Sequence, residues 1–229
     1  MKVHTLLDGL RFTEGPRWHD GALWFSDMHD HRVLRVTPDG AASTVVEIYD
    51  DEPSGLGWLP DGRLLVVAME TQRLLRVEPD GSIATHADLS SAARGDLNDM
   101  IVAESGGACL TAFDVAADGT LSGRRPFAAL TTPVAGRPAV ADGICLDAEG
   151  AVWYADPLGG FVARVREGGE VTDRIPCDGV IPVACVLGGP ERRTLYMCVA
   201  AHWRRSELAD KRTARIDEVH VDVPGAGRP

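Results

Sequence analysis

Residues 14–48 read EGPRWHDGALWFSDMHDHRVLRVTPDGAASTVVEI, and residues 54–89 read SGLGWLPDGRLLVVAMETQRLLRVEPDGSIATHADL. Each stretch contains an apolar run, an Asp-Gly turn, a second apolar run, an Arg-Val pair and a Pro-Asp-Gly turn. The two turns recur with a period of about 41 residues, at Asp20 and Asp61 and at Asp39 and Asp80. A period in the forties with four short strands per unit is typical of a β-propeller blade. The sequence therefore predicts an all-β propeller.

The same strand-and-turn pattern continues along the whole chain, which we interpret as one propeller domain over residues 1–229. Short apolar runs rich in β-branched and aromatic residues are bounded by Asp-Gly, Gly-Gly or Pro. Five blade units can be placed, starting near Phe12, Ser54, Asp96, Val140 and Val183. The opening KVHTLLDG is too short for a blade and predicts an outer strand that pairs with the last blade. Residues 202–214 are expected to be a charged loop, or a short helix, before a strand in RIDEVHVDV.

The third unit is irregular, because LNDM (residues 97–100) runs directly into IVAES without the turn found in the other units. Two alternatives remain open: either a hairpin has been lost, or two blades have been fused across their inner strands. A ring interrupted at this unit would expose strand edges and favour a homodimer over a monomer.

The composition excludes several classes of function. A net charge of −11 and a pI near 5.0 argue against nucleic-acid binding, which requires clustered Lys and Arg. No apolar run approaches the roughly 20 residues of a membrane span, and the N-terminus lacks the apolar core of a secretory signal. The five cysteines form no Cys-x-x-Cys pair, so reduced thiols in a cytoplasmic protein are expected. His29 and His31 could share a face of a strand and bind a metal, but a polar turn between two strands is favoured.

The candidate site comes from the start of each unit, where equivalent positions on successive inner strands point toward one axis. These positions supply Glu14, Asn98 and Asp142. Two carboxylates and an amide oxygen are hard ligands suited to Ca²⁺, Mg²⁺ or Mn²⁺, with Zn²⁺ as a further alternative. A single such residue would be interpreted as a strand cap beside glycine. Three at one repeat phase favour a metal site, because unpaired carboxylates placed close together repel each other.

The motifs EGPRW, LNDM, DGICLDAEG and AVWYADPLGG, in this order, resemble those of the gluconolactonase, senescence-marker (regucalcin) and luciferin-regenerating-enzyme superfamily. The resemblance covers essentially the whole chain. It implies a six-bladed propeller that binds one divalent metal ion at its axis, with Ca²⁺ favoured, and that hydrolyses sugar lactones or related esters. By this resemblance Glu14 and Asp142 are metal ligands, and Asn98 stands beside the metal and contacts water or substrate.

The chain departs from this superfamily after Met100. About 50 residues that would complete one blade and supply a Pro-Asn-Gly motif are absent, and the Asn of that motif is the third metal ligand of the superfamily. Either Asn98 replaces this missing Asn as a ligand, or the metal is held by only two protein carboxylates. The ring is then five-bladed, or six-bladed with an incomplete blade, or partly open.

The resulting hypothesis is a metal-dependent lactonase with a small-molecule lactone as substrate. Asp142 is the candidate general base, Asn98 positions water or a sugar hydroxyl, and no Gly-x-Ser-x-Gly elbow suggests a serine nucleophile. The alternative is a catalytically impaired propeller of the same ancestry that binds a metal or a partner without turnover. Four tryptophans are expected in the core between blades and not at a sugar platform: Trp18, Trp24, Trp58 and Trp153.

Overall fold

The structure is a computed structural model that describes residues 1–88, 90, 108–115, 121–130, 139–208 and 211–226. The described chain folds into five antiparallel sheets, four of them with four strands and one with two. Successive sheets follow the order of the sequence, and apolar clusters among the described residues join the first sheet to the second and the fifth, and the fourth sheet to the third and the fifth. This arrangement confirms the predicted all-β propeller, and each sheet is called a blade below.

The first half of the chain forms β1 and two complete blades. Strand β1 (His4–Leu10) precedes blade 1, which comprises β2 (Thr13–His19), β3 (Ala22–Asp27), β4 (Arg32–Val36) and β5 (Ala42–Glu47). Blade 2 comprises β6 (Pro53–Trp58), β7 (Leu64–Ala68), β8 (Arg73–Val77) and β9 (Ile83–Asp88). The hairpin between β2 and β3 turns at Asp20 and Gly21, both with positive φ, as an Asp-Gly turn favours.

The described part of the third unit is the two-stranded blade 3, formed by β10 (Cys109–Val115) and β11 (Leu121–Ala129). Blade 4 comprises β12 (Ile144–Leu146), β13 (Val152–Asp156), β14 (Phe161–Val165) and β15 (Val171–Pro176). The junction at LNDM, where the sequence suggested a lost hairpin or a fusion of blades, lies outside the described residues.

Blade 5 is built from both ends of the chain. It comprises β16 (Ile181–Gly188), β17 (Thr194–Ala200), β18 (Ala214–His220) and β1, which pairs antiparallel with β18. The pairing confirms that the opening segment is the outer strand of the last blade. Between β17 and β18 lies the short helix α1 (Arg205–Leu208), so this connection contains one helical turn within the predicted loop.

Apolar side chains fill the interfaces between consecutive blades. Trp18 of blade 1 stacks on Tyr196 of blade 5, with ring centroids 5.7 Å apart, and Trp24 meets Trp58 of blade 2 edge-on at 5.5 Å. Trp153 of blade 4 is buried in one cluster with Leu195 and other residues of blade 5. A further cluster joins blades 3 and 4. The four tryptophans therefore lie in the core between blades, as predicted.

All five cysteines are free thiols. Among the described residues, no helix has the length and apolar character needed to cross a membrane.

Candidate functional site

Glu14 and Asp142 line the same open cavity, although they come from blades at opposite ends of the sequence. The cavity has a volume of about 360 Å³ and is bounded by side chains from blades 1, 2, 4 and 5: Phe12, Glu14, Met28, His29, Glu52, Met69, Asp142, Val183 and Trp203. Segments from these four blades thus meet at one cavity, and two of the three predicted site residues lie in it. Asn98, the third predicted site residue, lies outside the described residues.

Glu14 is presented from strand β2, at a point where the pairing with β3 shifts register. It lies on β2 opposite Ser26 of β3, and only 5 % of its surface is exposed. The backbone N–H of Gly15 donates a hydrogen bond of 3.2 Å to Glu14 Oε2. The carboxylate is therefore largely removed from water and is held by its own strand.

Asp142 is presented from an extended segment just before β12. Its backbone N–H donates to the carbonyl of Ala155 at 3.0 Å, and the Ala155 N–H donates to the carbonyl of Gly143 at 3.1 Å. The Gly143 N–H in turn donates to the Val183 carbonyl of blade 5 at 3.0 Å. The backbone around Asp142 is thus fixed by blades 4 and 5 together.

A buried aspartate stands behind each of these two carboxylates. Asp27 ends β3 and accepts hydrogen bonds from the backbone N–H groups of Arg11 (2.9 Å) and Phe12 (3.0 Å), just before Glu14. Asp156 ends β13, accepts from the N–H of Gly159 at 2.7 Å, and also interacts with the N–H of Val140, two residues before Asp142. The same device therefore fixes the chain ahead of both site residues.

Burial raises the pKa of both supporting aspartates. For Asp27 the loss of hydration is opposed by the two backbone N–H groups and by Arg32, whose Nη2 lies 3.3 Å from Oδ2. For Asp156 it is opposed by backbone N–H groups and by the positive charge of Arg174. In both cases desolvation, which disfavours the charged form, is the largest cause.

The glycine that follows each site carboxylate allows two inner strands to approach closely. A Cβ atom on Gly15 would lie 2.3 Å from the Ser54 carbonyl oxygen of blade 2, and the φ of Gly15 is +57°. A Cβ atom on Gly143 would lie 2.3 Å from the Cβ of Ala184 in blade 5. Glu14-Gly15 and Asp142-Gly143 are therefore not turns. They are the points where a blade contacts the next blade.

Two further polar residues of the cavity were not predicted as site residues. His29 lies in a short 3₁₀ turn (Met28–Asp30) between β3 and β4, so the predicted turn is confirmed, but the ring is buried and packs 5.1 Å from the ring of Phe12. His29 Nδ1 lies 3.1 Å from Oε1 of Glu52, which is also buried. Neither residue has a counterpart at the same repeat phase, and this is why the repeat did not reveal them.

Asp51 fixes the backbone around Glu52. Its Oδ1 accepts hydrogen bonds of 2.8 Å from the N–H groups of Glu52 and Glu70, and Oδ2 accepts from the N–H of Thr71 at 3.1 Å. Blade 2 thus holds its cavity carboxylate by an aspartate that comes immediately before it. In blades 1 and 4 the supporting aspartate comes from the next strand.

Two chemically different sets of side chains line the cavity. The polar lining consists of three carboxylates and one imidazole, and the apolar lining consists of Phe12, Met28, Met69, Val183 and Trp203. Ligand sites of this kind combine apolar lining with a few convergent polar groups, and their volumes are roughly 300–1,000 Å³. The carboxylates favour a bound cation and disfavour an anionic group beside them.

The donor chemistry of the cavity suits a hard divalent cation, because three of its lining side chains are carboxylates. The described residues contain no group of three or more His, Cys, Asp or Glu side chains arranged to hold a metal ion. Glu14 and Asp142 therefore fit such an ion by ligand type, and a third ligand from Asn98 stays a prediction.

Comparison with known proteins gives the family of the fold. Residues 12–111 and 96–201 match the family model described as "SMP-30/Gluconolactonase/LRE-like region". The two matched ranges overlap at residues 96–111, where the sequence indicates the shortened third unit.

A curated relative and two solved structures are similar to the chain. A 6-deoxy-6-sulfogluconolactonase of Pseudomonas putida is 35% identical over 96 residues, which cover 41% of this chain and 32% of that protein. The match thus spans about a third of that relative. A calcium-binding protein, regucalcin, from Agrobacterium tumefaciens aligns with a TM-score of 0.75 and 18% identity, covering 98% of this chain and 95% of that chain. A gluconolactonase from Xanthomonas campestris aligns with a TM-score of 0.72 and 18% identity, covering 97% and 89%. At these identities the two structures show a shared fold.

Proposed function

We propose that this chain, which belongs to the SMP-30/gluconolactonase/LRE-like family, hydrolyses the cyclic ester of a sugar acid at the cavity between its blades. The observation that carries the proposal is the meeting of Glu14 and Asp142 in one cavity. These two carboxylates come from the EGP and DG motifs on which the resemblance to lactonases rests. The names of the relatives, a sulfogluconolactonase and a gluconolactonase, support the same class of substrate.

The proposal assigns Glu14, Asp142 and Asn98 to the binding of one divalent cation, with Ca²⁺ favoured and Zn²⁺, Mg²⁺ or Mn²⁺ as alternatives. The regucalcin of Agrobacterium tumefaciens is described as calcium-binding, which supports this choice. When bound, such an ion would polarise the lactone carbonyl and offset the negative charge that develops on its oxygen.

Asp142 is proposed to act as the general base. Its carboxylate accepts a proton from a water molecule while the water oxygen forms a bond to the carbonyl carbon of the lactone. The bond between that carbon and the ring oxygen then breaks, and the departing alkoxide takes up the proton. The product is the open-chain hydroxy acid. Asn98 is proposed to orient the water or a sugar hydroxyl.

The alternative function is metal or partner binding without turnover. It is favoured by the shortened third unit, since the residues absent after Met100 include the third metal ligand of the superfamily. Both functions predict a cation at the cavity. They differ in whether a lactone is opened.

A hydrolysis assay separates these two functions. Purified protein would be mixed with D-glucono-1,5-lactone, with acid release corrected for spontaneous opening, in the presence of each cation and after treatment with a chelator. We expect cation-dependent turnover that falls by about 10²- to 10⁴-fold in Asp142→Asn, the range typical of a lost general base.

The matched control is Asp173→Asn, which removes a half-buried carboxylate on β15 that does not line the cavity. It should retain wild-type turnover. No turnover with any cation, combined with cation binding measured by calorimetry, would support the binding function instead.

A further inference from the structure

We propose that Trp203 forms an aromatic wall on which the ring of the substrate packs, and that it thereby selects cyclic over open-chain esters. The inference rests on the proposed lactone hydrolysis at the same cavity. It adds a specificity-determining residue that lies outside the repeats, in the connection between β17 and β18.

Trp203 combines two properties that core tryptophans do not combine. It lines the cavity together with Glu14 and Asp142, and yet 48% of its surface is exposed. Among the large apolar side chains that the described part of the chain exposes, it is the one that lines this cavity. A large aromatic surface left in water at a cavity suggests a binding surface, since burying it against a ligand is favourable.

The connection that carries Trp203 is attached to the cavity wall at its far end. Arg212 donates hydrogen bonds of 2.9 Å and 3.0 Å from its two terminal nitrogens to the two oxygens of Asp30. Asp30 directly follows His29, which lines the cavity. Asp30 also pairs with Arg11 (3.1 Å) and Arg32 (2.8 Å), so three guanidinium groups fix this contact. Nearer to Trp203, His202 Nδ1 lies 3.0 Å from Glu207 Oε2.

The chemistry of a sugar lactone matches the polar and apolar side chains that line the cavity. The ring presents C–H groups on its faces and hydroxyl groups at its edge, so one face can pack on an indole while the hydroxyls reach carboxylates. Among the residues that line the cavity, Glu14, Glu52 and Asp142 supply such acceptors. An open-chain ester of the same acid keeps the hydroxyls but loses the flat ring, and it would gain less from the indole.

The test compares Trp203→Ala, Trp203→Phe and the control Tyr49→Ala. Tyr49 is also an exposed aromatic residue, but it does not line the cavity. For D-glucono-1,5-lactone we expect KM to rise by about 3- to 10-fold in Trp203→Ala, with kcat little changed, since an aromatic packing contact contributes on this scale. Trp203→Phe should recover most of the loss, and Tyr49→Ala should match wild type. The preference for the lactone over methyl gluconate should shrink in Trp203→Ala alone.

A second readout does not need turnover. D-Glucono-1,5-lactam, whose ring amide resists hydrolysis, would be added while tryptophan fluorescence is quenched with iodide. We expect the lactam to protect part of the emission in wild type and in Tyr49→Ala, and not in Trp203→Phe.

The two readouts separate failure of this inference from failure of the proposed function. Lactam protection that depends on Trp203, without any lactone turnover, would support the aromatic wall and contradict the hydrolase. Turnover with unchanged KM in Trp203→Ala, or protection that survives in Trp203→Phe, would overturn the role of Trp203 while leaving the hydrolase intact.

Discussion

Blades 1 and 4 share a feature that blades 2 and 5 lack, at the last residue of the second strand in chain order. In blades 1 and 4 this residue is Asp27 or Asp156, whereas in blades 2 and 5 it is Ala68 or Ala200. The blades that end this strand in aspartate are also those whose inner segments carry Glu14 and Asp142. In these two blades the site carboxylate and its buried support therefore occur together at equivalent strand positions, whereas blade 2 supports Glu52 by the adjacent Asp51.

Blades 1 and 4 also differ from each other in how the site residue is held. Glu14 belongs to the seven-residue strand β2, whereas Asp142 precedes the three-residue strand β12. Asp142 is therefore held by the β13 residue Ala155, which extends the ladder of its own blade, and its neighbour Gly143 is held from outside that ladder by Val183 of blade 5. The comparison suggests that the blade 4 side of the cavity is the easier one to disturb without unfolding the protein.

The largest expected effect comes from filling the close approach in blade 1. Gly15→Ala would bring a Cβ against the backbone oxygen of Ser54 in a left-handed conformation, and we expect it to destabilise the fold by about 3–5 kcal/mol. Gly143→Ala would bring a Cβ within 2.3 Å of the Ala184 Cβ and 2.6 Å of its Cα, but without a left-handed φ, and a smaller loss of about 1–3 kcal/mol is expected. Urea unfolding followed by circular dichroism would measure both.

A double variant sharpens this difference. Ala184→Gly removes the atom nearest to the added Cβ, so it should restore part of the stability of Gly143→Ala. Ala184→Gly alone serves as the control. Equal losses for the two glycine variants, or no recovery in the double variant, would contradict the difference in crowding between the two blades.

The repeat predicted much of the fold because similar apolar runs and turn residues recur in successive blades. Asp20-Gly21 set the first hairpin, and the short opening segment was correctly assigned as the outer strand of blade 5. The third unit could not be predicted in the same way, since LNDM (residues 97–100) runs into IVAES without the turn that marks a hairpin there.

The candidate site was predictable only in part. Repeat phase singled out Glu14 and Asp142, which share the cavity, and the FSD and YAD endings also carried a signal for Asp27 and Asp156. The pair His29 and His31 drew attention to His29 but favoured a turn, and neither Glu52 nor Trp203 was indicated by the repeat. His29, Glu52 and Trp203 reach the cavity from a turn, from a segment before a strand and from a connection between strands.

The next effect in size tests the supporting aspartates. Asp27→Ala would leave the N–H groups of Arg11 and Phe12 without their acceptor, and we expect a loss of about 2–3 kcal/mol. Asp156→Ala should cost a similar amount. Thermal unfolding would give these losses, and cation binding by calorimetry would show whether the site weakens with them. Unchanged cation affinity in both variants would separate the aspartates from the site.

A smaller effect is expected at Asn98, which would be the third cation ligand beside Glu14 and Asp142 and comes from the third unit. If Asn98 supplies a ligand or orients the water, Asn98→Ala should lower cation affinity or turnover by about 10-fold or more, equal to at least about 1.4 kcal/mol. Asn98→Asp, which keeps an oxygen ligand, is the matched control and should retain binding. Indistinguishable affinity and kinetics for Asn98→Ala would restrict the site to the two carboxylates from blades 1 and 4.

The smallest effect concerns the charge of the two supporting aspartates. Because burial raises the pKa of Asp27 and Asp156, each folded carboxyl binds its proton more tightly than the unfolded one. Stability from these groups is therefore fully present below the ordinary aspartate pKa near 4 and is lost as pH rises through the raised value.

Asn mimics the protonated form and keeps an acceptor oxygen. Measured by urea unfolding at pH 4 and pH 7, the stability of Asp156→Asn relative to wild type should improve with pH. Asp27→Asn should improve less at neutral pH, since it also gives up the charge that faces Arg32. A relative stability that falls between pH 4 and pH 7 would mean that the backbone N–H groups outweigh burial, and that both carboxyls lie charged behind the site.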